Sequence, residues 1–342
     1  MGKYMIYRLK QAIMCHTLDK RNRQKPFDYP AAESYSLEGE QDPMLNNSYY
    51  FSAHDGTLSV FARLGRRVNA DETWFAVFLG GEMYSLQQEC FPAGASPLRV
   101  ERVDGKWLVS FKGLLNGHVE ADFSAAFQPQ YPPVDFTSHM PPRRMATGIA
   151  NEKWSRAFFA GLQTVSGQCH YEQEGILEGK LNLGGRSLEL RLPCVRDHSF
   201  GRRDWNYMNN HLWLMAVCGE CQFNYSLVSY PAITALEVGH FREGSAMHYM
   251  LEADLDFHKV AAGTIPGELS FRVRLDNGRQ LPVTASVLSG VTYHFQDGRY
   301  ILHENVARFK LGDTECRGIL EIGFNSDAGR YFNQRDLNTI KR

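Results

Sequence analysis

The chain has 342 residues, 43% of them hydrophobic and 22% charged, with 37 basic against 38 acidic residues and a net charge of −1. That is the balance of a globular protein long enough for two cores. Near-neutral charge supplies no basic face for nucleic acid, seven scattered cysteines show no disulfide framework and fit a reducing, cytoplasmic setting, and no apolar run reaches the roughly 18 residues that cross a bilayer.

Residues 1–25 are basic but lack an apolar stretch ending in a small-residue cleavage site, so they do not read as a secretory signal. Within them, residues 6–14 read as a short amphipathic helix. Its expected role is packing on the body, with peripheral membrane contact as the alternative. From Ser48 onward the pattern is all-β. Residues 58–63, 73–79 and 98–103 alternate apolar and polar side chains. Asp104-Gly105 then turns into 107–111, and 118–127 alternates again. Residues 128–145 hold five prolines, which excludes helix and central strand there. Residues 151–165 form the one expected long helix, capped by Asn151.

Strand patterning resumes at 169–175. Gly184-Gly185 joins strands near 180–183 and 187–192, and nine further strand-like stretches lie between Leu212 and Phe324. Regular short strands imply barrels or sandwiches. The expected class is therefore all-β: two tandem antiparallel domains, 1–185 and 186–342, with a helical linker near 151–165.

The densest chemistry is Arg196-Asp197-His198-Ser199-Phe200-Gly201-Arg202-Arg203-Asp204-Trp205, which packs two carboxylates, an imidazole and three guanidiniums into ten residues. It follows an alternating strand, so it does not lie on a solvated helix. Charges enter an interior only in pairs. The cluster is either an ion-pair knot or a site. In both readings Arg202 or Arg203 is expected to pair with Asp197 or Asp204.

That stretch also resembles a known signature. Asp197-His198-Ser199-Phe200-Gly201 followed by Arg203-Asp204-Trp205 is similar to the Asp-His-Ser/Asn-Trp-Gly and Arg-x-Trp elements of the two-domain lipocalin-like family of carotenoid hydratases (hydroxyneurosporene synthases) and decalin-forming Diels–Alderase relatives. Asn47 to Gly56, Phe61 to Gly65 and Gly318 to Glu321 resemble further strands of that group. The resemblance implies lipocalin-like domains around an apolar cavity, with His198 catalytic beside Asp197 and Asp204. It implies Tyr225 as the counterpart of a Tyr-x-Asp pair, and Phe200, Trp205, Trp213, Arg203, Glu172 and Glu321 as substrate contacts. Two positions depart from the family: Phe200 replaces Trp, and Leu227 replaces the acid after Tyr225. Literal carotenoid hydration is therefore not expected, and Asp204, Glu172 or Glu321 must supply any acid.

No nucleotide-binding loop, dinucleotide fingerprint or nucleophile elbow occurs. Cys218-Gly219-Glu220-Cys221 has odd spacing, which on a continuous strand sends the thiols to opposite faces, and no second pair lies nearby. No metal and no cofactor are expected. Two functions remain. One is a cofactor-free lyase, isomerase or cyclase acting by acid–base or shape catalysis on an isoprenoid- or polyketide-like molecule. The other is a lipocalin-like carrier of an apolar ligand. If His198 faces the cavity, His198→Gln is expected to lower turnover about 10²–10⁴-fold with little loss of stability in a melting experiment.

Overall fold

Alternating sequence becomes strand almost throughout. The structure, a computed structural model, describes residues 2–165, 167–255, 264–295 and 298–326. Helices α1 (Gly2–Gln24) and α2 (Tyr29–Glu33) precede β1 (Leu45–His54), β2 (Leu58–Arg67), β3 (Ala70–Leu79), β4 (Glu82–Ser85) and β5 (Cys90–Pro92). Next come β6 (Leu98–Val103), β7 (Lys106–Leu115), β8 (Val119–Pro129) and β9 (Val134–Asp135). Helices α3 (Pro142–Asn151) and α4 (Arg156–Val165) lead into β10 (Cys169–Leu183) and β11 (Arg186–Arg202). After a 3₁₀ turn at Trp205–Tyr207, the chain continues through β12 (Asn210–Cys218), β13 (Cys221–Tyr230), β14 (Ile233–Glu243) and β15 (Ala246–Ala253). It ends in β16 (Glu268–Leu275), β17 (Gln280–Phe295), β18 (Tyr300–Leu311) and β19 (Thr314–Asn325).

The strands form two antiparallel units. The first is a curled sheet in the order β4-β3-β2-β1-β11-β10-β8-β7-β6, with β5 on β3 and β9 on β10. The second is a closed barrel of β12 to β19 in chain order. The first sheet folds around Phe51, Phe75, Phe111, Phe123 and Phe127. The barrel closes on Leu212, Phe223, Leu281, Phe309 and Leu320. A third apolar layer, with Tyr50, Trp74, Trp205, Trp213 and Tyr293, lies between the outer faces of the two units. Strands at this seam are buried on both faces, as β12 is along nearly its whole length.

The two-domain all-β class holds, with four corrections. The boundary expected at 185/186 falls later. Residues 186–202 are β11, which pairs with β1 and β10 of the first sheet. Gly184 and Gly185, at φ +54 and +81, close a tight hairpin that returns the chain to the same sheet instead of starting a new one. Second, helix begins at Pro142 despite the proline run, because Pro141 and Pro142 occupy the N-cap and first helical positions, where a missing N–H costs nothing. Third, Asn151 is the last residue of α3 and not the start of the next helix. The cap of α4 is Ser155, whose Oγ accepts from Phe158 N at 3.1 Å. Helix α1 is also much longer than residues 6–14. It packs through Gln11, Met14 and Leu18, and Met14 and Leu18 meet Ala146 and Ile149 of α3.

A buried charge ties the N-terminal segment to the first sheet. Asp28 caps α2, accepting from Ala31 N at 3.1 Å. That places Glu33 inside the sheet, where its carboxylate accepts from Arg196 Nη2 at 2.6 Å and Trp107 Nε1 at 3.0 Å. Arg196 is 0% exposed and lies 4.9 Å above the Trp107 ring. Glu33→Ala leaves this guanidinium buried without its anion, and the expected loss is about 3–5 kcal/mol in urea denaturation. A loss below about 1 kcal/mol would mean that water reaches Arg196.

Candidate active site

The outer faces of the two units leave a half-open cleft holding about 770 Å³ of empty space, part of it continuous with solvent. Alternation at period two selects its lining. Strand β11 presents Asp197 and Ser199, and β12 presents His211 and Trp213. Trp74, Trp205, Met208 and Tyr230 form apolar walls.

Each unit contributes one imidazole–carboxyl pair. From the first sheet, His170 Nε2 of β10 contacts Asp197 Oδ2 of β11. The His170 ring stacks on Phe136 with centroids 4.3 Å apart. Behind this pair, buried Glu172 accepts from Trp213 Nε1 at 3.2 Å, Asn224 Nδ2 at 2.6 Å and Gln222 Nε2 at 3.3 Å. Burial first, and then the charge of Asp197, hold the Glu172 carboxyl well above the usual carboxylate range.

From the barrel, His211 Nε2 lies 2.5 Å from Glu321 Oε1 of β19, and His211 Nδ1 lies 2.5 Å from the Tyr300 hydroxyl. Gly323 stands opposite His211 in the β12–β19 ladder. A Cβ there would fall 2.3 Å from His211 Cε1, so only glycine lets the ring lie across the strand. Burial pushes His211 down to about 3 and raises Glu321. Glu304, which accepts from the Tyr50 hydroxyl at 2.5 Å, is raised well above its ordinary value by burial and by neighbouring Glu321. One protonation pattern satisfies this chain: Glu321 O–H donates to His211 Nε2, His211 Nδ1–H donates to Tyr300 Oη, and Tyr300 donates to Met208 Sδ at 3.0 Å. The barrel side thus holds a neutral imidazole beside a carboxyl group whose proton affinity burial raises.

The cleft also has excess donors. Arg203 lies 5.2 Å above the Trp205 ring, and among the described residues no carboxylate is within ion-pair distance of it. Burial, with Arg63 next, pushes Arg203 down to about 10, so it stays cationic. Arg63 Nη1, Trp74 Nε1 and Trp205 Nε1, on three residues that line the cleft, are buried N–H donors without an acceptor among the described residues.

Five of the residues expected from sequence line the cleft: Asp197, Arg203, Trp205, Trp213 and Glu321. Glu172 sits one layer behind. Four lie elsewhere. His198 points from the opposite face of β11 into the first sheet, where Nε2 donates to Asn47 Oδ1 at 2.8 Å and Nδ1 is 2.7 Å from the Tyr171 hydroxyl. Adjacent strand residues face opposite ways, so Asp197 does not orient it. Phe200 stacks on Tyr35 at 4.1 Å on that same inner face. Asp204 caps the 3₁₀ turn, accepting from Asn206 N at 2.9 Å. Tyr225 lies inside the barrel core beside Phe271. The expected arginine–aspartate knot does not form either, because Arg202 reaches out to Asp42 and Asp197 takes His170. The residues missed are His170, His211, Tyr50 and Arg63. The signal for the first two was parity: His170 shares a face with Glu172, and His211 shares one with Trp213.

The cysteine reading also changes. A turn at Gly219-Glu220 makes Cys218 and Cys221 register partners, and Cys316 of β19 joins them, with all three sulfurs within 4.8 Å of one another. The expectation of no metal rested on thiols sent to opposite faces with no further ligand pair nearby; the turn brings the two thiols together and Cys316 adds a third sulfur.

A model of the family described as Domain of unknown function (DUF7064) matches residues 31–326. No curated protein matches the chain. Among solved structures it is similar to a protein assigned as AttH from Nitrosomonas europaea, at 11% identity and TM-score 0.59, over 87% of this chain and 97% of that one. It is similar to kievitone hydratase from Nectria haematococca at 12% identity and TM-score 0.52, over 88% and 94% of the two chains. It is similar to CghA at 10% identity and TM-score 0.51, over 84% and 90%. These likenesses bear out the lipocalin-like resemblance at the level of fold.

The position of His198 yields a pH-dependent expectation. Burial, with Arg196 next, holds its pKa well below 6.5. The unfolded chain takes up a proton there near its ordinary value, while the folded chain does not. The stability contributed by neutral His198 is therefore present above about pH 6.5 and is lost as pH falls. His198→Gln should be less stable than wild type at neutral pH, and the gap in urea midpoint should narrow in acid. A gap that widens in acid would show a charged histidine.

Proposed function

We propose that this chain, which belongs to the DUF7064 family, is an acid–base lyase, isomerase or cyclase that moves protons on an apolar, oxygen-bearing molecule held between its two β domains. The observation that carries the reading is the pair of imidazole–carboxyl dyads, His170–Asp197 and His211–Glu321, facing one aromatic-walled cleft from opposite sides. Hydration, dehydration, a double-bond shift and ring closure share one requirement: a proton goes to one atom of the carbon skeleton and another leaves elsewhere. Glu321, whose proton affinity burial raises, is suited to give a proton. Asp197 with His170 is suited to take one. Arg203 and the free N–H groups of Arg63, Trp74 and Trp205 favour a ligand with a carbonyl, phenolic or carboxylate oxygen, and negative charge developing there would be stabilised. Tryptophan faces suit a flat or polyene body. The likeness to kievitone hydratase supports a hydratase-type reading through shared fold.

Mass spectrometry of ligands that co-purify with the protein identifies the substrate class, and turnover of that compound tests the assignment. Glu321→Gln and Asp197→Asn should each lower turnover about 10²–10⁴-fold, while His198→Gln, normalised to folded protein, should not. Because Glu321 acts as the acid, activity should also fall as pH rises through its raised pKa. Recovery of the ligand chemically unchanged from wild type and both variants alike would favour the carrier.

A further inference from the structure

Helix α1 buries one face and exposes another of unusual composition. Gln11, Met14 and Leu18 pack inward. On the opposite side Met5, Leu9 and Ile13 recur every fourth residue, with Ile6 beside them, at exposures of 64%, 62%, 46% and 58%. Four large apolar side chains on adjacent turns make a continuous stripe and not scattered surface residues.

Charge selects the occupant. Residues 1–25 hold seven basic residues (Lys3, Arg8, Lys10, Lys20, Arg21, Arg23, Lys25) and one acid, Asp19. The rest of the chain holds 30 basic and 37 acidic residues, obtained by subtracting these from the totals of 37 and 38. Lys10 turns inward to the Glu152 carbonyl at 2.6 Å, while Lys3, Arg8, Lys20, Arg23 and Lys25 remain exposed. A second copy of α1 on this stripe would set like charges together. An anionic lipid surface attracts the helix and repels the acidic body, which orients the molecule. No described helix is long and apolar enough to cross a membrane, so the contact lies in the interface plane.

We infer that α1 docks this protein on anionic membranes, with Met5, Ile6, Leu9 and Ile13 entering the acyl boundary and the exposed lysines and arginines meeting lipid phosphates. Helix α1 packs on α3, and the apolar cluster they share reaches Ala232 and Ile233, which follow Tyr230 of the cleft wall. The inference stands for an enzyme or a carrier alike.

Sedimentation with phosphatidylcholine vesicles, with and without phosphatidylglycerol, tests it on the full chain. Wild type should pellet with anionic vesicles and less so at high salt. The double variant Leu9→Asp/Ile13→Asp should lose partitioning by about tenfold or more at an unchanged melting temperature, since both positions are exposed. Failure of wild type to bind anionic vesicles, or binding indifferent to the double variant, would overturn the inference. So would a concentration-dependent dimer that the same variant dissolves, because a second copy would then cover the stripe.

Discussion

The stretch of β11 from Cys194 to Ser199 is buried on both faces and carries charge on both. One face holds Arg196 and the other Asp197. Neither charge is tolerated inside without a partner, because desolvating an ion costs several kcal/mol. Each partner comes from a different place in the chain: Glu33 from α2 for the inner face, and His170 from β10 for the outer. The first pairing closes the N-terminal segment over the sheet. The second builds one wall of the cleft. Backbone alternation along a single strand thus separates an ion pair inside the first sheet from an imidazole–carboxylate pair in the cleft.

The cleft depends on that separation. Its two imidazole–carboxyl pairs belong to different units, so their spacing is set by the apolar seam of Tyr50, Trp74, Trp205, Trp213 and Tyr293. Burial acts on acid and base in opposite directions. It raises Glu321 and lowers His211, so the imidazole stays neutral and the carboxyl holds its proton more tightly than in water. A neutral acid in an apolar site is a stronger donor toward a forming anion than the same group in water. In the proposed reaction Arg203 would supply fixed positive charge and Glu321 a mobile proton.

The solved relatives share this fold at 10–12% identity. That is physically reasonable, since curled and closed antiparallel sheets need alternation, turn glycines and volume more than particular side chains. Under the proposed function the chemistry resides in the few residues pointing into the seam. Gly323 shows how strict that local requirement is, because its missing side chain is what lets His211 lie against Glu321 and Tyr300.

How much could be read without the structure differed by level. The strands, the hairpin turns and the two-domain all-β class follow from local alternation, which a sequence displays directly. So does the density of charge between Arg196 and Trp205, and five expected contacts do line the cleft. The choice of His198 over His170 and His211 could not be made from neighbours in sequence. Adjacent residues on a strand face opposite ways, so the richest run of ten residues was necessarily split between two environments. Which face was chemical depended on where the barrel packed. The third thiol, Cys316, and the partners Glu33, His170 and Glu321 come from strands and helices distant in the chain. Only closure of the two sheets brings them within hydrogen-bonding reach. Sequence determined what each strand could bury, and tertiary structure decided which charges met, because ion pairing acts over a few ångströms in space regardless of separation along the chain.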